Sequence, residues 1–305
     1  MTKVVLPMPQ PDFRESLLGY IDDLRERVTT EKGDWTVKSF IDVYKRVYTI
    51  SVDTKVLSKV LELLMFPVID RFAQEQGYQV ILARAQNHYP DLTLISNQDD
   101  SHCIALDIKT TYRTQPDLHG QMRVNGMTLG TFGGYFRVRD RAVSSTLPYN
   151  RYSQHYVLGV IYSRVNGIDE RQVYGIADLA DIPSVATDFQ FFLQEKYRIA
   201  SDGPGSGNTR NIGSTRYQDR LVNGTGVFAK LGPDVFDDYW MNFRTRAMAR
   251  EEGFQEAPYT NLKSYQTSPL QNQVYSRPES RYQLSSLTRI PSFGRMVIPG
   301  SMSKV

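Results

Sequence analysis

Two short alternating strings narrow the fold more than anything else in this chain. One is QNHYPDLTL (86–94) and the other is IALDIKTTY (104–112). Asp91-Leu92-Thr93-Leu94-Ile95 alternates as a strand does, and so does the run from Cys103 to Lys109. Between them, Ser96-Asn97-Gln98-Asp99-Asp100-Ser101 has the composition of a turn. The stretch therefore reads as a hairpin. A hairpin of this length can set Asp91 opposite Asp107. Side chains alternate faces along a strand, so Asp107 and Lys109 project the same way.

Two carboxylates and an ammonium brought together on neighbouring strands carry a definite chemistry. Converging carboxylates suit a hard, oxygen-seeking ion such as Mg²⁺. Such an ion polarises a scissile phosphate and lowers the pKa of a bound water. Lys109 can offset charge developing on the phosphorus oxygens or orient the attacking water. These are the requirements for cutting a phosphodiester. The pattern is short, arising by chance in roughly one chain in ten of this length. An Asp-x-Lys on a strand also suits a plain solvated face.

The rest of the chain supplies the frame. Phe13, Leu17, Leu18, Ile21, Leu24 and Val28 mark one face of a helix over 12–29. Leu57, Val60, Leu61, Leu64, Val68 and Phe72 mark a second over 53–76, with Asp53 or Ser51 as its cap and Pro67 expected to kink it. Glu62 falls about 60° beyond the edge residue Met65 of that stripe, so it faces either the acidic pair or solvent. Strands are expected at 78–83, 91–96, 103–109, about 155–165 and 172–176. A further helix covers 232–250, with Pro233 in its first turn and Val235, Phe236, Tyr239, Trp240 and Phe243 on one side. The pattern is α/β (α+β): a mixed sheet flanked by helices, without internal repeats.

Character changes near residue 255. The division expected is a domain over 1–255 and a Pro-, Ser- and Tyr-rich extension over 256–305. From residue 261 on, Lys263, Arg277, Arg281, Arg289, Arg295 and Lys304 face Glu279 alone, so the excess positive charge of a chain whose net charge is only +3 sits there. That extension is either an irregular tail or an arm for DNA phosphates or a partner subunit, its basic residues interleaved with Tyr265, Tyr275, Tyr282 and Phe293.

Other classes fall away. A single cysteine, Cys103, excludes an intrachain disulfide, and four scattered histidines make no zinc motif. No apolar run approaches the ~20 residues needed to cross a bilayer. Residues 1–14 lack the pattern of a signal peptide. A cytoplasmic location with no membrane partner is expected. The Gly-rich stretch Gly203-Pro204-Gly205-Ser206-Gly207-Asn208-Thr209-Arg210-Asn211 lacks the closing Gly-Lys-Ser/Thr of a phosphate loop. It is a surface loop, and its chemistry suits the major groove. Glycines allow close main-chain approach, Asn208 can bond adenine bidentately and Thr209 can meet a thymine methyl.

Four strings together, SVDTKVLSKVLELL (51–64), QNHYPDLTL, IALDIKTTY and GSGNTRNIGS (205–214), resemble the EcoRV family of type II restriction endonucleases within the PD-(D/E)xK nuclease superfamily. The likeness runs from about residue 50 to about residue 260. It implies a restriction-endonuclease-like core with a dimerisation subregion. It implies Asp91 and Asp107 as metal ligands and Lys109 as the charge stabiliser, with Glu62 as a further active-site acid and ligand. It implies base reading by Gly205, Ser206, Gly207, Asn208, Thr209, Arg210 and Asn211, and minor-groove contacts from Gln86 and Asn87. Thr54, Thr110 and Thr111 match hydroxyls near the DNA backbone. Two positions depart from the family pattern. Arg210 stands where a small hydroxyl residue is expected, and Ala85 replaces a glutamine.

The function implied is Mg²⁺-dependent hydrolysis of both strands of duplex DNA. The implied cut is blunt, at GATATC, and leaves 5′-phosphate and 3′-hydroxyl ends. A homodimer matches the two-fold symmetry of such a site. A prokaryotic host would carry a cognate DNA methyltransferase. The alternatives are a related nuclease for repair or junction cutting, and a DNA-binding protein that has lost catalysis.

Overall fold

The computed structural model describes residues 12–85, 87–205 and 210–268. Its centre is a six-stranded mixed sheet. Strands Ala186–Glu195, Tyr152–Arg164, Cys103–Thr114, Leu92–Ser96 and Tyr78–Leu82 lie side by side in that order, and the short strand Arg123–Val124 pairs with the far end of Cys103–Thr114. All pairings are antiparallel except Cys103–Thr114 with Tyr152–Arg164, which run parallel. The expected hairpin forms in unbroken register, with Leu92 opposite Leu106 and Ile95 opposite Cys103.

Alternation along these strands feeds two cores. Ile104, Leu106 and Ile108 face one side with Leu92, Leu94, Tyr156, Leu158 and Val160. There the helix Thr54–Glu75 lays down Leu57, Leu61, Met65, Val68 and Phe72. Asp53 caps this helix, its carboxylate accepting from the Lys55 amide at 2.8 Å. The helix runs through Pro67 as one 22-residue element. Each aliphatic side chain buried here contributes roughly 1.5–3 kcal/mol. Cys103 and Ala105 face the other side, into a core rich in rings: Tyr89, Tyr135, Tyr149, Phe236, Tyr239 and Trp240.

The structure differs from the sequence expectations at element ends. The helix expected over 12–29 is two helices, Phe13–Leu18 and Ile21–Val28, because the chain turns at Gly19 and Tyr20. The helix expected over 232–250 is Gly232–Asn242 followed by Arg246–Glu251. Phe243 leaves helical geometry to enter the aromatic core, and Thr245 caps the next helix by accepting from the Met248 amide at 3.2 Å. The start of the expected extension is packed. Tyr259 and Tyr265 are buried against Tyr239, and the short helix Leu262–Gln266 lies here. Residues 269–305, which hold most of the basic excess, lie outside the described residues.

Two small sheets complete the fold. Strands Ser39–Ile41, Val47–Thr49 and Val173–Tyr174 form one, and Ala200–Pro204, Asn211–Ser214 and Thr128–Thr131 form the other. Among the described residues no helix is long and apolar enough to cross a membrane.

Candidate active site

The acidic pair and the lysine meet where the hairpin leaves the aliphatic core. Asp91 precedes the strand Leu92–Ser96, and Asp107 and Lys109 lie in the middle of Cys103–Thr114. The Asp91 amide donates to Asp107 Oδ1 at 3.2 Å, and the Ile108 amide donates to Asp91 Oδ2 at 2.8 Å. The backbone of each strand thus holds the other strand's carboxylate. Lys109 Nζ lies 3.3 Å from Asp91 Oδ2 and 3.1 Å from Asp107 Oδ2. Asp107 is buried, while Asp91 and Lys109 are about one-quarter exposed.

Electrostatics follow from this crowding. Burial pushes the Asp91 carboxyl above its ordinary value and the Asp107 charge adds to it. Lys109 and the Ile108 amide pull the other way, and Glu62 raises it further. Burial by itself would lower the Lys109 ammonium, but Asp107 and Asp91 more than offset that and raise it. Lys109 is therefore a fixed cation at neutral pH, not a ready base.

The donor set fits a small divalent cation. Among the described residues no cluster of three or more His, Cys, Asp or Glu side chains is gathered. Two carboxylates nevertheless suit Mg²⁺, which commonly takes one or two protein carboxylates and completes its shell with water and phosphate oxygens. The Lys109 ammonium, bridging both carboxylates, shows that the point between them favours a positive charge.

Other expected site residues divide into those near the pair and those engaged elsewhere. Glu62 sits on the helix Thr54–Glu75 and is ion-paired with Lys59 at 2.7 Å, so it acts on Asp91 through its charge. Thr110 shares a hydroxyl bond with Ser58 of the same helix. Thr111 is buried and donates its hydroxyl to the Asn125 carbonyl, which turns it away from solvent. Thr54 opens the long helix, partly exposed, and Asn87 is exposed four residues before Asp91. Gln86, Ser206, Gly207, Asn208 and Thr209 lie outside the described residues.

The ends of the Gly-rich loop are described and they are joined. The Gly205 amide donates to the Asn211 carbonyl at 2.9 Å, closing a hairpin between Ala200–Pro204 and Asn211–Ser214. Arg210 is anchored twice. Its carbonyl accepts from the Phe132 amide at 2.8 Å and from Thr131 Oγ1 at 2.9 Å. Its guanidinium pairs with Glu251 at 3.2 Å.

Sequence reasoning passed over a second layer behind the acidic pair. Tyr89, two residues before Asp91, is buried and stacks on Tyr135 at 4.5 Å. Its hydroxyl bonds His155 Nδ1 at 2.8 Å. Burial holds His155 well below its ordinary value. Lys196 is 1% exposed, and its Nζ lies 3.9 Å from the centre of the Tyr89 ring. Burial lowers this ammonium to about 7, against the attraction of Asp107. Only Tyr89, adjoining Pro90-Asp91, carried any signal of this layer in the sequence.

Residues 31–268 match the family model described as restriction endonuclease EcoRV. The chain is 35% identical over 247 residues to the type II restriction enzyme EcoRV of Escherichia coli, covering 80% of this chain and 94% of that one. Among solved structures it is similar to the NlaIV restriction endonuclease with a TM-score of 0.44 at 10% identity, over 86% of this chain and 85% of that one.

Proposed function

The chain belongs to the EcoRV family of type II restriction endonucleases and is a site-specific deoxyribonuclease; from that premise we propose that it cuts both strands of a palindromic duplex in a Mg²⁺-dependent reaction centred on Asp91, Asp107 and Lys109. One observation carries this. Two carboxylates from adjoining strands converge on a single point already favoured by a cation, within reach of solvent.

Each group has a task. Asp91 and Asp107 would hold the metal, which when bound would supply Lewis acidity at the scissile phosphate. Lys109, kept protonated by its two neighbours, stabilises the charge that grows on the phosphate oxygens. The Ile108 amide fixes one Asp91 oxygen. Glu62 assists from the long helix by its charge. The products are 5′-phosphate and 3′-hydroxyl ends.

Base reading falls to Gly205, Ser206, Gly207, Asn208, Thr209 and Asn211 in the major groove, and Gln86 and Asn87 approach from the minor groove. Thr54 is placed to meet the DNA backbone. The site proposed is GATATC with a blunt central cut. A narrow carrier of that specificity is Asn208, since Asn recognises adenine bidentately.

The enzyme acts as a homodimer, because one active site per subunit on a two-fold DNA site cuts both strands. The sheet Ser39–Ile41, Val47–Thr49 and Val173–Tyr174 is the surface proposed for it. Phe40, Ile41, Val43, Tyr44, Val173 and Ile176 are all exposed there. Exposed apolar side chains gathered on one small sheet are what a subunit contact would cover. The setting proposed is a prokaryotic cytoplasm with a matching methyltransferase.

The test is digestion of plasmid DNA with and without Mg²⁺, followed by sequencing of the fragment ends. Blunt ends at every GATATC, only with metal, are expected. Discrete cuts elsewhere would move the specificity, and tight binding without any cleavage would overturn the reaction.

A further inference from the structure

The Gly-rich hairpin and the acidic pair are joined through a buried lysine. Lys196 opens the short helix Lys196–Ile199, which leads directly into Ala200–Pro204, the first arm of the hairpin. Its backbone is therefore continuous with the hairpin. Its Nζ lies 3.9 Å from the centre of the Tyr89 ring, with Tyr149 at 5.5 Å and Tyr135 at 5.8 Å. Among the described residues this ammonium has no hydrogen-bond partner. A buried lysine without one is costly, so the aromatic faces and the more distant Asp107 are what hold it.

The other arm reaches the same point. Asn211–Ser214 pairs with Thr128–Thr131, where Gly130 adopts φ +104°. A Cβ there would lie 1.9 Å from the Tyr135 hydroxyl and 3.6 Å from Lys196 Nζ. Glycine at 130 is what lets Tyr135 and Lys196 close against this strand. Tyr89 is also held by its backbone: its amide donates to the Ser144 carbonyl at 3.0 Å, and its carbonyl accepts from the Thr146 amide at 2.9 Å. Its ring is the part of the Tyr89-Pro90-Asp91 segment that Lys196 faces.

We propose that Lys196 is a positioning residue that couples the base-reading hairpin to Asp91 through the ring of Tyr89. It touches neither DNA nor the reacting phosphate. A shift of the hairpin on a correct site carries the Lys196 backbone with it, and the ammonium passes that shift to Tyr89 and so to the carboxylate two residues on. This rests on the nuclease function proposed above.

The experiment is a double-mutant cycle on single-turnover cleavage, with wild type, Lys196→Met, Tyr89→Leu and the double variant. DNA affinity is measured in parallel, and so is cleavage at sites carrying one wrong base. Misplacement of a reacting group by about 1 Å costs roughly a hundredfold. Lys196→Met is accordingly expected to slow the correct site roughly ten- to a hundredfold, leave affinity within about twofold, and narrow the gap between correct and incorrect sites. The double variant should be no slower than the slower single variant, since linked residues are not additive. Tyr89→Phe keeps the ring face and should stay within about threefold of wild type.

Additive losses would sink the route through Tyr89. An unchanged rate and discrimination in Lys196→Met would remove the residue altogether. Should Lys196→Met not fold, the contrast of Tyr89→Leu with Tyr89→Phe decides instead, and equal rates for the two would overturn the proposal. A wild type that cuts no discrete sites removes the nuclease function itself and this coupling with it. A cutting wild type with indifferent variants removes the coupling alone.

Discussion

The hairpin that carries Asp91 and Asp107 and the hairpin that carries the Gly-rich loop share a topology, and they differ in how they are held. Leu92–Ser96 and Cys103–Thr114 lie inside the six-stranded sheet, with strands on both outer sides. Their register is continuous, and Thr93, Leu94, Ile104, Ala105 and Leu106 are fully buried. Ala200–Pro204 lies at the edge of a three-stranded sheet, and its pairing with Asn211–Ser214 shifts register between Ala200 and Pro204. Gly213 shows why. A Cβ there would fall 2.8 Å from the Gly203 carbonyl and from Ser201 Oγ, so the two arms approach more closely than side chains allow.

Each construction suits its task. Carboxylates that share one cation must be placed within about 0.5 Å, which a packed central hairpin provides. A loop that reads base edges with its backbone must come close to them, and glycine permits this. Under the proposed function, the packed hairpin would hold the chemistry and the glycine-bearing one would meet the bases.

The largest expected effect tests the stiff hairpin. Asp91→Ala or Lys109→Ala should reduce cleavage by roughly a thousandfold or more. Both variants should keep the wild-type circular dichroism spectrum and elution volume. Near-normal turnover in either would break the assignment of the chemistry to this hairpin.

Next is the accommodating hairpin. Asn208→Ala should lose about 1–3 kcal/mol of discrimination at one base pair. General DNA affinity, measured on a random duplex, should change far less. If affinity for every sequence fell equally, the loop would be a phosphate clamp and the contrast between the hairpins would fail.

A smaller effect is set by protons. Burial and Asp107 raise the Asp91 carboxyl, so it takes up a proton at a higher pH than an ordinary carboxylate. Protons compete with a cation for that oxygen. Mn²⁺ affinity, followed by calorimetry without DNA, should therefore weaken as pH falls through this raised value, by up to about tenfold per unit below it. Removing the Glu62 charge in Glu62→Gln lowers Asp91 and should move the weakening to lower pH. Movement in the opposite sense would show that Glu62 acts other than by charge.

The smallest effect concerns Arg210. Its pair with Glu251 is largely exposed, and such pairs contribute about 0–1 kcal/mol. Arg210→Ser should change the melting temperature by no more than a few degrees. A shift in the cleaved sequence would show that Arg210 reads DNA despite this anchor.

Legibility in the sequence followed the same divide. The hairpin of Asp91 and Asp107 was readable because its period-two alternation is local, and Asp91, Asp107 and Lys109 fell where that alternation put them. The strand Ala186–Glu195 escaped, since its partner lies in Tyr152–Arg164 and its register breaks between Thr187 and Gln190. The packing of Tyr259 and Tyr265 escaped too, because their composition resembles that of the tail beyond them. The resemblance implied a DNA-backbone contact for Thr111, while its hydroxyl donates to the Asn125 carbonyl, a tertiary contact that no local pattern records.

What the amino-acid order determines alone is therefore the pair of strands, the face on which the acids and the lysine stand, and the glycine-bearing loop, all set by periodicity over a few residues. What the tertiary structure decides is which distant groups share one dielectric environment. Lys196 sits under Tyr89 and near Asp107, and no local pattern records that, because burial and Coulomb interaction depend on distance in space and not along the chain.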